Sequence, residues 1–249
     1  MRGGGDRALG PRGRAAALAI ALACNLAGPA RLAAQEVSEP RLRAAFWVET
    51  EPVASAGEAW PVSSEEAARR LVDEAAWVFA GMVWGFSFEY VPLDRARGIE
   101  EGFVLEPLGS IPWGDPRLIP GKLEPAGSRL LPEASFGPST ELRAYVEYRP
   151  EAEGARLMEA YGAEPWVRSQ GLGRADILGG WKARRAAYED ALREAVREYL
   201  RSIEPNKPRR AAGRVVFERV PAITVREGAY LVQARSRIEV LELAPYVVY

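Results

Sequence analysis

The feature that most constrains the fold is a long stretch of alternating polarity near the C-terminus. Its apolar members are Tyr230, Val232, Ala234, Ile238 and Val240, and its polar members are Gln233, Arg235, Arg237 and Glu239. A period of two is typical of an antiparallel strand with one buried and one solvated face. The buried face of such a strand has to be covered by other amphipathic elements.

Two segments have the period of amphipathic helices and can supply that cover. The first starts within residues 61–66, where a serine cap and two glutamates suit a helix N-terminus, and its apolar stripe extends to Val83. The second ends at Ile203, and we expect Arg184 and Arg185 on its solvated face. The patterns together predict an α+β fold, in which an antiparallel sheet is packed on one face by two amphipathic helices.

Shorter patterns predict further strands at residues 44–48, 86–90, 142–148, 215–217 and 223–225. We expect residues 35–249 to form a single α+β domain. Two helix-strand halves, 60–150 and 176–249, are the alternative arrangement.

The segment between the two helices is unsuited to regular structure. Residues 107–138 contain seven prolines and five glycines. Proline cannot donate a backbone hydrogen bond, so it is disfavoured in helix interiors and central strands. We therefore expect a long proline-rich loop on the surface, and a second, glycine-rich connection over residues 162–180.

The N-terminal residues 1–34 have the composition of a secretory signal peptide. Five arginines and one aspartate accompany an uncharged apolar run at residues 15–27, which is too short for a permanent membrane span. Small residues before Gln35 predict cleavage there, leaving 215 residues with a net charge of −5. We expect this mature chain to lack a transmembrane span and to reside in the periplasm or at the outer surface of a bacterial envelope. Its mild acidity argues against nucleic acid as a partner.

Cys24 gives the leader a second interpretation. The residue follows Ala23, and a small residue before a cysteine is a feature of lipoprotein processing. Acylation at Cys24 would anchor the chain to a membrane surface by its lipid. Plain cleavage before Gln35 would instead remove the chain's one cysteine.

The inventory of reactive side chains excludes much enzyme chemistry. The chain has no histidine and one cysteine, so histidine-dependent nucleophiles, histidine metal sites and cysteine-cluster metal sites are ruled out. We therefore predict no catalytic residues, no metal site and no cofactor. Arginine, carboxylate and aromatic side chains remain, and these suit binding surfaces.

The most suggestive local sequence is the loop around Trp113, Asp115 and Arg117, which groups an aromatic face, a carboxylate and a guanidinium. These three residues are the candidate binding patch, with Trp113 stacking on a small molecule or glycan. In the structural interpretation, which the loop chemistry favours, Asp115 bonds its own turn and Trp113 pins the loop to the core.

Two other motifs suggest chemistry less strongly. Residues 171–176, Gly-Leu-Gly-Arg-Ala-Asp, lack the third glycine and the preceding strand of a dinucleotide-binding turn. Glu89 and Glu147, if they lay on neighbouring strands, could form the carboxylate pair of a glycoside hydrolase. Exposed glutamates on strands are more commonly solvated.

Three segments resemble uncharacterised exported proteins of spirochaete-like bacteria. They are Trp84-Gly85-Phe86-Ser87-Phe88, Pro112-Trp113-Gly114-Asp115-Pro116, and Tyr188-Glu189-Asp190-Ala191-Leu192 leading to Asn206-Lys207-Pro208. The resemblance covers most of the mature chain and implies a bacterial envelope setting without implying an activity.

From the sequence we therefore expect an exported cell-envelope protein that is a non-catalytic structural or interaction component. A periplasmic small-molecule or glycan binder that uses the 107–138 loop is the first alternative. A carboxylate-based hydrolase is the second alternative.

Mass spectrometry of the mature protein distinguishes the two fates of the leader. We expect an unmodified chain that starts near Gln35, because the small residues of a signal cleavage site precede it. An acylated N-terminal Cys24 would establish the lipoprotein alternative and exclude cleavage at Gln35.

Overall fold

The computed structural model describes residues 40–50, 61–126, 141–163, 165–204 and 206–246. The helices there are α1 (Ser64–Val83), α2 (Ala152–Ala160), α3 (Trp181–Ile203) and a single 3₁₀ turn (Ile177–Gly179). The strands there are β1 (Leu42–Glu49), β2 (Phe86–Val91), β3 (Gly102–Pro107), β4 (Leu118–Pro120), β5 (Glu124–Ala126), β6 (Glu141–Tyr148), β7 (Val167–Asp176), β8 (Arg210–Phe217), β9 (Ala222–Arg226) and β10 (Ala229–Ala244). The α+β class predicted from the sequence is confirmed. The leader and Cys24 lie outside the described residues.

The strands form two antiparallel sheets where the sequence predicted one. The larger sheet has the order β3-β2-β8-β10-β7, and β9 also pairs with β10. The smaller sheet has the order β1-β6-β4, and β5 also pairs with β6. An apolar patch predicted β1 and alternation predicted β6 as strands, but neither pattern carries information about which strands share a sheet.

The long alternating segment is β10, the strand on which the larger sheet is built. It pairs with β7 along one edge, and with β9 and then β8 along the other. Val232, Ala234 and Ile238 on its inward face are fully buried, as the alternation predicted, and Val240 is partly buried. The turn from β9 to β10 contains Glu227 and Gly228, both with positive φ, a conformation that glycine adopts without strain.

Helix α1 packs against both sheets. Its N-cap is Ser63, whose hydroxyl accepts a hydrogen bond from the Glu66 amide at 3.1 Å, as predicted. Phe79 meets Phe46 of β1 edge-to-face, with ring centroids 5.6 Å apart. Trp77 packs on Phe86 of β2 at 4.9 Å. Because α1 faces two sheets, every residue from Val78 to Val83 is buried, which a single amphipathic stripe does not predict.

Helix α3 lies unusually close to β7. A Cβ atom built on Gly171 would fall 2.0 Å from the Ala191 carbonyl oxygen, and one built on Gly173 would fall 2.1 Å from that of Ala187. Such distances are far below van der Waals contact, so only glycine fits at these two positions. The prediction of a glycine-rich connection over residues 162–180 is therefore wrong for much of that range, because residues 167–176 form strand β7. The glycines of this strand allow the backbone of α3 to pack directly against it.

The described part of the proline-rich segment contains two short strands. Both β4 and β5 pair with β6. Their prolines, Pro120 and Pro125, stand in three-residue strands, in keeping with the confinement of strand prolines to edges and termini. The long loop predicted for 107–138 is thus interrupted by strands, and residues 127–138 lie outside the described residues.

No helix in the described ranges combines the length and apolar character needed to span a bilayer.

Replacing Gly171 by alanine tests the close approach of α3 to β7. We expect the free energy of unfolding to fall by about 1–3 kcal/mol or more, because the new side chain has to displace backbone atoms of α3. The measurement is the urea midpoint by circular dichroism. Gly102→Ala is the matched control, since a Cβ there meets its nearest atom at an ordinary 3.7 Å. Equal losses in both variants would contradict the packing account.

Candidate functional site

Two members of the predicted binding patch are bonded to each other. The Arg117 guanidinium donates to both Asp115 carboxylate oxygens, at 2.9 and 2.7 Å, and the Arg117 amide donates to Asp115 Oδ1 at 2.9 Å. Arg117 also forms an ion pair with Glu151, which precedes α2. These hydrogen bonds hold the pKa of Asp115 below its usual value. Asp115 and Arg117 therefore tie the loop to itself and to the start of α2.

Trp113 does not share in that contact. Its side chain is 65% exposed, so the expectation that it pins the loop to the core is wrong. With Asp115 buried and paired, Trp113 is the most accessible member of the patch. The binding role of Trp113, Asp115 and Arg117 stays a prediction.

The other two sequence motifs are also accounted for structurally. Glu89 lies in the larger sheet and Glu147 in the smaller one, so they are not on neighbouring strands. Glu89 pairs with Arg210 at 3.3 Å, and Glu147 pairs with Arg149 at 2.9 Å. Residues 171–176 are part of β7, not a phosphate-binding turn. Within the described ranges, no cluster of three or more carboxylates could hold a metal ion.

A buried charge network joins the two long helices. Arg184 on α3 donates from Nε to Glu74 Oε2 at 2.8 Å and from Nη2 to Glu74 Oε1 at 3.0 Å. Its Nη2 also donates to the Trp47 carbonyl at 3.0 Å, and the Tyr188 hydroxyl donates to Glu74 Oε1 at 2.7 Å. Arg184 is 1% exposed, so its expected place on the solvated face of the helix is wrong.

Electrostatics favour the ionised form of Arg184 despite its burial. Desolvation alone would lower its pKa, but the Glu74 and Glu49 carboxylates outweigh that effect and raise it. Glu49 Oε2 lies 3.7 Å from Arg184 Nη1. Burial raises the pKa of Tyr188 well above its usual value, and the adjacent Glu74 charge raises it further. Tyr188 is therefore a neutral hydrogen-bond donor at physiological pH.

A crevice of about 220 Å³ lies between α1 and α3, beside this network. Its aromatic lining consists of Trp77, Trp181 and Tyr188. Trp77 is held in place by Phe86, Tyr188 and Phe217, with ring centroids 4.9 to 5.7 Å away. The aromatic wall is thus a fixed surface, part of the hydrophobic core on one side and accessible on the other.

The charged lining of the crevice falls into two groups. Asp73 pairs with Arg69 at 2.9 Å, and Glu74 belongs to the buried network. Lys182 and Arg185, both exposed, form no ion pair within 4.0 Å among the described residues. The Arg185 guanidinium instead lies 4.0 Å from the ring centroid of Trp77. The crevice therefore has an aromatic wall and an unpaired cationic rim.

The sequence contained a partial signal for this site. Arg184 precedes Tyr188 by four residues and Ala191 by seven, which places it in the apolar stripe of α3. An arginine in such a stripe indicates a buried counter-ion. The partner, Glu74, is 110 residues away, and no local pattern links the two.

Comparisons with known proteins agree with the expected resemblance. The model of a protein family with no described activity matches residues 29–246. The chain is similar to an uncharacterised protein of Treponema pallidum (strain Nichols), with 25% identity over 179 residues, which cover 72% of this chain and 70% of that protein. No solved structure matches the chain. The resemblance to uncharacterised spirochaete proteins is confirmed, and neither match bears on export.

Breaking the buried network should cost far more than breaking a surface ion pair. For Glu74→Leu we expect a loss of about 3–5 kcal/mol in the free energy of unfolding, because Arg184 stays buried without its main counter-ion. Glu198→Ala, which removes an exposed pair with Arg201 on α3, should cost at most about 1 kcal/mol.

The double variant Glu74→Leu/Arg184→Met and the single variant Arg184→Met complete the cycle, measured by urea denaturation. The double variant should be more stable than Glu74→Leu alone, because the buried guanidinium is gone and Glu49 is the one member of the network that loses a counter-ion. A double variant that is no more stable than Glu74→Leu would show that the ion pair is not the source of the loss.

Proposed function

We infer that this chain, which belongs to the uncharacterised protein family whose model matches residues 29–246, is an exported, non-catalytic binding component of a bacterial cell envelope. The family supplies no activity to transfer, so the inference rests on the residues. The single observation that carries it is the α1–α3 crevice, where a fixed aromatic wall meets two cations without ion-pair partners.

The state of two buried carboxylates, Glu74 and Asp115, supports a role without catalysis. General acid–base chemistry needs a group that can exchange a proton with a substrate. Glu74 accepts hydrogen bonds from Arg184 and Tyr188, and Asp115 accepts two from the Arg117 guanidinium. Both carboxylates are held in structural contacts, and the chain has no histidine to take their place.

The shape and chemistry of the crevice support binding. Ligand sites are concave, mostly apolar and provided with a few polar groups that fix orientation. Trp77 and Trp181 supply apolar surface, while Lys182 and Arg185 supply hydrogen-bond donors. This site differs from the 107–138 loop expected from the sequence, because Asp115 and Arg117 of that loop bond to each other.

The leader pattern supports export. Residues 1–34 combine a basic start with a short apolar run, and the family match begins only at residue 29. Within the proposal, the mature chain acts in the periplasm or at the outer surface. Cys24 is the alternative anchoring site.

Recovery from envelope extracts tests the proposed binding role. The full chain is immobilised, incubated with extract, and its retained molecules are identified by mass spectrometry. We expect material that the Lys182→Gln/Arg185→Gln variant no longer retains, because that variant removes the free cations of the rim. Lys122→Gln/Arg201→Gln is the matched control, with the same charge change on exposed residues outside the crevice lining.

Three outcomes would contradict the proposal. The first is retention that the rim variant does not alter. The second is retention that is lost in Trp113→Ala but kept in the rim variant, which would move the site to the loop. The third is chemical conversion of a retained molecule, which would contradict the non-catalytic role.

A further inference from the structure

The guanidinium of Arg185 has the surroundings of a group that can bind an anion. Its guanidinium stacks on Trp77 at 4.0 Å, and it makes neither an ion pair nor a hydrogen bond to the described residues. Stacking fixes the plane of a guanidinium and leaves its N–H edge free, and that edge matches a carboxylate with two parallel hydrogen bonds. Trp77 is itself held by three aromatic neighbours, so this orientation is built into the core.

Lys182 adds a second positive charge to the same rim. It lies in the first turn of α3, which contains no acidic residue and has no side-chain cap. Cations near a helix N-terminus oppose the helix dipole. An anion bound at the rim would offset this repulsion as well as the charge of Arg185.

The two carboxylates of the crevice lining form ion pairs with arginines other than Arg185. Asp73 is neutralised by Arg69, and Glu74 is neutralised by Arg184. Glu189, one turn along α3 from Arg185, stays beyond ion-pair distance of it and lines a different hollow. Glu189, Glu74 and Asp73 therefore act on Arg185 only at longer range, and neither Arg185 nor Lys182 has a carboxylate within ion-pair distance among the described residues.

The volume of the crevice limits the size of the ligand that carries the anionic group. Sites for drug-sized ligands occupy about 300–1,000 Å³, and this crevice measures about 220 Å³. The space suits one ring, which Trp181 and the part of Trp77 that Arg185 leaves uncovered would contact with apolar surface.

We propose that the α1–α3 crevice binds a small aromatic carboxylate, with its ring against Trp77 and Trp181 and its carboxylate on Arg185 and Lys182. The assignment rests on the proposed binding function and names its ligand class. Binding is non-covalent and leaves the ligand unchanged.

Titration of the full chain with benzoate and with benzamide, its neutral isostere, tests the ligand class. By isothermal calorimetry at low salt, we expect benzoate to bind at least about tenfold more tightly than benzamide. Arg185→Gln should weaken benzoate binding about tenfold and leave benzamide binding unchanged. Arg201→Gln, an exposed arginine on the same helix, should behave as wild type. Circular dichroism confirms that each variant is folded.

Equal affinity for the two probes, absence of benzoate binding, or an Arg185→Gln variant with full affinity would overturn the assignment. Failure here is distinguishable from failure of the proposed function. If rim-dependent retention from extracts persists while benzoate does not bind, only the ligand class is wrong. If benzoate binds but extracts yield nothing that depends on the rim, the crevice chemistry stands and the envelope role fails.

Discussion

The ion pair between Arg184 and Glu74 is the interaction on which the arrangement of this protein depends. Removing a guanidinium and a carboxylate from water costs several kcal/mol per ion, and the hydrogen bonds of Arg184 Nε and Nη2 offset that cost, while Nη1 has only the 3.7 Å contact with Glu49 among the described residues. Those bonds come from α1, α3 and the β1 backbone. The network therefore fixes three elements relative to one another, and a shift of either helix would leave a buried charge without its partner.

The same three elements bring the two sheets together. α1 packs on β1 and β6 of the smaller sheet and on β8 of the larger one, while α3 rests on β7 and β10. The approach of α3 to the backbone at Gly171 and Gly173 sets its height above the larger sheet. Because both helices are fixed in this way, the crevice between them is a permanent feature of the fold, with walls that belong to the core.

The sequence predicted the elements better than their partners. α1, α3 and β10 follow from polarity periods that extend over many residues. β7 was missed because Gly171 and Gly173 replace the large apolar side chains by which strands are recognised, and these glycines serve a helix that comes later in the chain. The charges of Asp115 and Arg117 stand out in the sequence because they are only two residues apart. The same proximity allows the two side chains to form hydrogen bonds with each other. The crevice is formed by residues of α1 and α3 that are more than 100 positions apart in the sequence, and no local sequence pattern predicts that they meet.

Tyr188 belongs at once to the network and to the crevice. Its hydroxyl bonds Glu74 in the interior, while its ring forms part of the crevice lining. A molecule in the crevice packs against Trp77, whose ring centroid lies 5.7 Å from that of Tyr188, and so restrains the side chain that helps to hold α1 against α3. By thermodynamic linkage, occupancy of the crevice and rigidity of the helix pair reinforce each other, as a ligand that binds only the folded state stabilises that state. Ligand binding in the crevice would thus reduce the motion of α1 relative to α3 without requiring a change in their mean positions.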